Sequence, residues 1–179
     1  MEFRQTLELR SITDISVAPE ISRERRIPDG GARTARRPGG LPDRGGRPSV
    51  LATADRFGSP HTSLITWLVA RDARTVALAL DRRSQHFRNL QENPRACLEV
   101  LGDGLVAKAA GGVRVATEQM HSAPFPCAMV EVELEEVRDH TVLGAVFQSP
   151  SYSYGPGKEH RHGVAAAVLE ELKVAGRNR

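Results

Sequence analysis

The sequence has no apolar stretch near the roughly 20 residues that a membrane span requires. Its first ten residues, Met1 to Arg10, alternate charged and apolar side chains and contain no signal-peptide core. Both absences predict a cytosolic protein. Cysteine is scarce: Cys97 and Cys127 are the only two in 179 residues. That count excludes a disulfide framework and a cysteine-rich zinc site. Both lie in apolar, strand-like runs, so both are expected to be buried free thiols. Also missing are a glycine-rich dinucleotide loop, a Walker sequence and a nucleophile elbow. Of the histidines His61, His86, His121, His140, His160 and His162, only the last two have ligand-like spacing. Their loop is rich in Lys and Arg and offers Glu159 as its nearby carboxylate. A metal demands a fuller ligand set, so no metal site is predicted.

What is present is the composition of a globular protein, 40% hydrophobic and 26% charged. This length suits one domain with ornaments and a core large enough to fold without staples. The net charge of +3 is unevenly spread. Residues 1–47 hold 10 Lys+Arg against 7 Asp+Glu, whereas residues 48–179 hold 15 of each. A neutral body with a modestly basic arm argues against a nucleic-acid binder. Phe3, Leu7 and Leu9 share one face of an extended segment, which allows a short strand near 3–10. From Pro28 to Pro48, Gly, Pro and Arg supply 15 of 21 residues. Such a stretch builds no core and reads as a linker or draped arm. Its arginines (Arg33, Arg36, Arg37, Arg44 and Arg47) are expected to be solvated. The chain therefore divides into an arm over 1–47 and a folded domain over 48–179.

The domain reads as six strands with flanking helices. Ser49 to Asp55 is a small-apolar strand, followed by a turn through Gly58 and Pro60. His61 to Ala70 is the second strand, rich in β-formers, and Arg74 to Leu80 the third. Arg83 to Asn93 reads as a helix, with Ser84 as N-cap, an apolar face through Phe87 and Leu90, and Pro94 beyond its end. Arg95 to Leu101 is the fourth strand, and Gly102-Asp103-Gly104 a hairpin turn. Leu105 to Thr117 is the fifth, with a bulge expected at Gly111-Gly112. In the sixth, Pro126 to Arg138, Met129, Glu131, Glu133 and Glu135 alternate with Val130, Val132 and Leu134, the pattern of a sheet with one wet face. A short helix is expected over Thr141 to Phe147, a loop over Gln148 to Gly157, and an amphipathic helix over Val164 to Ala175. A mostly antiparallel set of this kind usually removes its edges by closing into a β-barrel.

Ser49 to Leu101 resembles the flavin-binding split-barrel family that includes pyridoxamine 5′-phosphate oxidase. The resemblance rests on the strand order, the Gly58-Ser59-Pro60 turn and the run Ser-x-x-x-x-Asn-Leu-x-x-Asn-Pro, supplied by Ser84, Asn89, Leu90, Asn93 and Pro94. The long fifth and sixth strands extend it to about Arg138. It implies a six-stranded antiparallel split barrel that binds FMN in a groove between two subunits of a homodimer. Carried onto this chain, Ser63, Leu64, Ile65 and Thr66 would face the isoalloxazine ring. Leu80 and Asp81 would end the third strand beside it, and Ser84, Gln85 and His86 would meet the phosphate. A helix N-terminus favours an anion in its own right, and Arg82, Arg83 and Arg88 surround the same turn.

Many family members carry Ser-Arg-Lys where this chain has Ser84-Gln85-His86. That puts the strength of phosphate binding, and the identity of the ligand, in question. The expected activity is FMN-dependent oxidoreduction of a small molecule in the cytoplasm, with the cofactor carrying the chemistry and no catalytic residue nameable. The enzyme's own C-terminal substrate-binding arginines are not found. The alternatives are a module on the same fold that binds haem, as the resemblance of His86 before Asn89-Leu90 to haem-handling relatives implies, or a deazaflavin, a flavin sensor without turnover, and a structural dimer whose arm recruits a partner. His61 fits either a flavin edge or a strand cap. Trp67, the sole tryptophan, suits core or interface packing better than a ligand platform. The Ser151–Gly155 loop suits either a pocket cover or a surface connector.

Overall fold

The computed structural model describes residues 48–102, 105–148 and 150–174. The arm over 1–47, with its expected strand near 3–10, lies outside the described residues, as do Asp103, Gly104 and Ala175. Seven strands and two helices follow in chain order: β1 (Ser49–Ala54), β2 (Pro60–Ile65), β3 (Leu68–Ala70), β4 (Thr75–Asp81), α1 (Gln85–Glu92), β5 (Arg95–Gly102), β6 (Leu105–Thr117), β7 (Cys127–Asp139) and α2 (Arg161–Val174). The strands form one antiparallel sheet in the order β2-β1-β5-β6-β7-β4-β3.

The predicted second strand is two strands, which makes seven in place of six. β2 pairs with β1, ending with Ile65 opposite Ser49, whereas β3 pairs with β4. Thr66 and Trp67 alone separate two strands that form opposite edges of the sheet. The sheet therefore curls into a split barrel until its edges nearly meet. The ladder to β4 already starts at Trp67, whose carbonyl accepts from the Ala79 N–H at 3.1 Å.

The barrel interior is packed by Leu51, Leu78, Leu98, Val100, Val130 and Val132, with Phe87 and Leu90 of α1 joining them. A second cluster lies outside the barrel wall. There Ala77 and Ala79 of β4 and Cys127 and Met129 of β7 meet Val168 and Leu172 of α2. This cover corrects the wet face expected of β7. Glu133 and Glu135 are exposed, but Met129 and Glu131 are buried. Glu131 is tolerated because it ion-pairs with both Arg71 and Arg114. Arg71 also donates from Nε to the Leu172 carbonyl at 2.7 Å, a cation at the C-terminal end of α2 where the helix dipole favours one.

The bulge expected in β6 is present as a register shift between Ala110 and Gly111. A Cβ on Gly111 would lie 1.8 Å from the Glu133 carbonyl oxygen, so only glycine fits. The helix expected over Thr141 to Phe147 is absent. One turn forms, with the Ala145 N–H donating to the Val142 carbonyl at 3.0 Å, and Gly144 then takes φ +77. Val142, Leu143 and Val146 are all exposed, so no apolar face holds a helix there. Cys127 is buried as expected, but Cys97 is only partly so, since it lies among the half-exposed positions of β5. Among the described residues no helix is long and apolar enough to cross a membrane.

Candidate functional site

Alternation along β2 turns His61, Ser63 and Ile65 to its half-buried side and leaves Thr62 and Leu64 exposed. Beside it β4 ends at Leu80 and Asp81, and the chain turns into α1. Ser84 caps that helix with extended backbone (φ −71, ψ 157) and accepts from the Phe87 N–H at 3.2 Å. The cap satisfies one first-turn donor and leaves others without an intrahelical partner. A cleft of about 170 Å³ opens between these elements.

Six of the predicted site residues line it: Ser63, Ile65, Leu80, Asp81, Ser84 and His86. Four do not. Leu64 is 61% exposed on the other side of β2, Thr66 belongs to the bend before β3, and Gln85 and Arg88 face solvent on α1. Trp67, Ala79, Phe125 and Cys127 complete the lining and were not predicted. For Trp67 packing is the expected role. It does pack, stacking on Phe125 with centroids 5.7 Å apart and planes at 19°, but the pair also forms a cleft wall. Its Nε1 is buried and has no hydrogen-bond partner among the described residues. Phe125 comes from the loop before β7, where no periodicity marks it. The Ser151–Gly155 loop does not line the cleft; Tyr154 packs edge-on against Tyr152 and against His162.

The three arginines expected at the phosphate all have partners within the chain. Arg83 forms two side-chain hydrogen bonds to Asp81, at 3.0 and 2.8 Å. The same contacts hold the Asp81 carboxyl below its ordinary value. Arg88 folds back on the Arg83 carbonyl and on Gln85. Arg82 lies 3.4 Å from Glu118. The net effect is a less electropositive helix start than the sequence suggests.

His86 is only 4% exposed. Its Nδ1 lies 3.0 Å from Thr53 Oγ1 and its Nε2 2.8 Å from Ser63 Oγ. Burial first, and the nearby His61 second, pull its pKa down to about 4. The two histidine rings are 4.5 Å apart. His86 is therefore a neutral, doubly hydrogen-bonded ring in the cleft wall rather than a phosphate-binding cation. Cys127 is pushed up to about 11 by burial, with the Asp81 charge adding to it, so its thiol is inert near neutrality. Among the described residues no cluster of three or more His, Cys, Asp or Glu side chains is arranged to hold a metal ion.

A curled antiparallel sheet, with a cleft between one edge strand and the capped start of α1, defines a split-barrel protein. Residues 45–142 match the sequence model of the pyridoxamine 5′-phosphate oxidase family. That match spans more than half of the chain, and the chain belongs to this family. A search of the curated proteins finds no match. Solved structures with similarity include HupZ of Group A Streptococcus, at 15% identity and TM-score 0.48, covering 57% of this chain and 90% of that one. The styrene monooxygenase flavin reductase of Pseudomonas putida S12 gives 14% identity and TM-score 0.43, covering 54% and 80%. An FMN-binding protein from Syntrophomonas wolfei gives 14% and 0.43, covering 53% and 78%.

Proposed function

We propose that the chain is a flavin-dependent oxidoreductase that holds FMN in this cleft, works as a cytoplasmic homodimer and acts on a small molecule. The observation that carries the reading is one cleft lined both by apolar side chains, Ile65, Leu80, Trp67 and Phe125, and by Ser84, the N-cap of α1. The residues fit a planar ring well. The wall would shield it from water, and the Ser63 hydroxyl offers a polar contact. The fit to a phosphate rests on Ser84 and the first-turn amides of Gln85 and His86. Asp81 opposes it, although Arg83 neutralises much of that charge.

Bound there, FMN would supply hydride or electron transfer. The chain's part is to orient and enclose the ring along Ser63, Leu64, Ile65 and Thr66. Leu64 and Thr66, which do not line the cleft, would act only through their backbone. A cleft of about 170 Å³ is smaller than the roughly 300–1,000 Å³ of a typical cofactor site. A second copy completing the groove accounts for the difference. Haem is less well served, because both ring nitrogens of His86 are already engaged.

The test is the visible spectrum of the freshly purified full-length protein, followed by FMN titration. Twin flavin bands and saturation at one FMN per protomer are expected. A single Soret band, preferential binding of a deazaflavin, or a protein that ignores all three ligands would overturn the FMN assignment. Replacing Ser84 with Ala should weaken FMN binding, and unchanged affinity would remove the phosphate from α1.

A further inference from the structure

We infer that Ser63 is a fixed hydrogen-bond donor into the cleft, its proton aimed there by a relay running from Arg88 through Gln85, Asn89, Thr53 and His86; the ligand atom it meets is an acceptor on a heteroaromatic ring, which rests on the flavin reading of the site.

Direction along this chain follows from one group. A guanidinium only donates. Arg88 is held by its Nη1 bond to the Arg83 carbonyl at 2.8 Å, and its Nε and Nη2 meet Gln85 Oε1 at 3.3 and 2.8 Å. The Gln85 oxygen must therefore face the arginine. Its amide nitrogen then faces the next turn and donates to Asn89 Oδ1 at 2.6 Å. That orients Asn89 in turn, and its Nδ2 donates to Thr53 Oγ1 at 3.0 Å. Amide orientations are ordinarily matters of assignment; here a donor-only group settles both.

Thr53 and Asn89 are both buried. Having accepted from Asn89, the Thr53 hydroxyl has one proton to place, and the neighbour within reach is His86 Nδ1 at 3.0 Å. Nδ1 thus accepts. In a neutral imidazole the other nitrogen then carries the proton, so Nε2–H donates to Ser63 Oγ at 2.8 Å. The opposite tautomer strands the Thr53 proton in a buried site, where an unmade bond is costly. Ser63 has now accepted, so its own proton is free to leave the network. Ser63 forms part of the cleft lining, and the proton points the site toward a carbonyl oxygen or unprotonated ring nitrogen rather than an N–H edge. Ser63 would be a binding residue, and His86, Thr53, Asn89, Gln85 and Arg88 positioning residues.

The tautomer is read without any ligand. A long-range proton–nitrogen correlation spectrum of the full-length protein labelled with ¹⁵N-histidine should show His86 protonated at Nε2, its signals assigned by their loss in His86→Gln. A proton on Nδ1 overturns the relay. On the ligand side, Ser63→Ala should weaken FMN binding roughly threefold to tenfold and shift the bound flavin's visible bands, with Ser63→Thr restoring both. Unaltered affinity and spectrum in Ser63→Ala would refute the donor role. Wild-type protein that fails to bind FMN refutes the flavin reading itself, while the ligand-free spectra still decide the relay.

Discussion

Acidification should expose His86 as a stabilising group through its failure to take a proton. In the fold the ring is buried, and its two nitrogens are committed to Thr53 and Ser63. Burial, and secondly His61, depress its pKa from the ordinary 6.5 to about 4. The unfolded chain therefore binds this proton first as the pH falls. The stabilisation is complete above about 6.5 and is lost as the pH drops toward and through about 4. At 1.36 kcal/mol per pH unit the loss amounts to about 3 kcal/mol. Carboxyls held below their ordinary values, such as Asp81, Glu135 and Glu136, also weaken the fold in acid. The His86 share must be isolated by difference. His86→Gln cannot titrate at this position, and urea unfolding of both proteins is readable through Trp67, the single tryptophan. The stability gap between wild type and variant should shrink by about 3 kcal/mol between roughly pH 7 and roughly pH 4. A gap that stays constant over that range would mean that His86 is not held neutral by the fold.

Further outcomes follow from the framework around the cleft. Gly111→Ala should cost more than about 3 kcal/mol in thermal or urea unfolding, because its new methyl group meets the backbone oxygen of Glu133. Gly112→Ala, whose nearest contact is a Glu135 side-chain oxygen at 3.6 Å, should stay within about 1 kcal/mol of wild type. Glu131→Ala should cost about 3–5 kcal/mol, because it leaves the largely covered Arg71 without its carboxylate; a cost below about 1 kcal/mol would show that the Arg71 contacts to α2 suffice alone. In the native protein a thiol reagent should label Cys97 well before Cys127, since the latter is fully buried with its pKa raised to about 11. Equal labelling rates by mass spectrometry would contradict that burial.

Local signals in the sequence carried the elements whose causes are local. Ser84 caps α1, Asn93 and Pro94 end it, and a bulge falls at Gly111, each from chemistry within a few residues. Where a distant partner decides the outcome, the sequence is mute. The apolar run continues through Thr66 and Trp67, so nothing local says that the chain changes partner there from β1 to β4. Glu131 continues an exposed-looking alternation, and only the docking of α2 with Arg71 buries it. Phe125 reaches the cleft by stacking on Trp67, a contact between residues 58 positions apart in number.

The candidate site shows the same division at finer scale. Read along the chain, Ser84, Gln85 and His86 form one contiguous group aimed at one phosphate. On a helix each step turns the side-chain direction by about 100°, so three consecutive residues cannot all face one ligand through their side chains. Gln85 is carried outward, to its i+3 and i+4 neighbours Arg88 and Asn89. His86 is carried inward, to Thr53 and Ser63. The departure from Ser-Arg-Lys is thus more than a loss of charge. A lysine in place of His86 would put an ammonium where the fold provides a serine and a threonine hydroxyl and no carboxylate contact. An arginine in place of Gln85 would take away the side-chain oxygen to which Arg88 now donates. In this chain both positions belong instead to a hydrogen-bond network that ties α1 to β1 and β2.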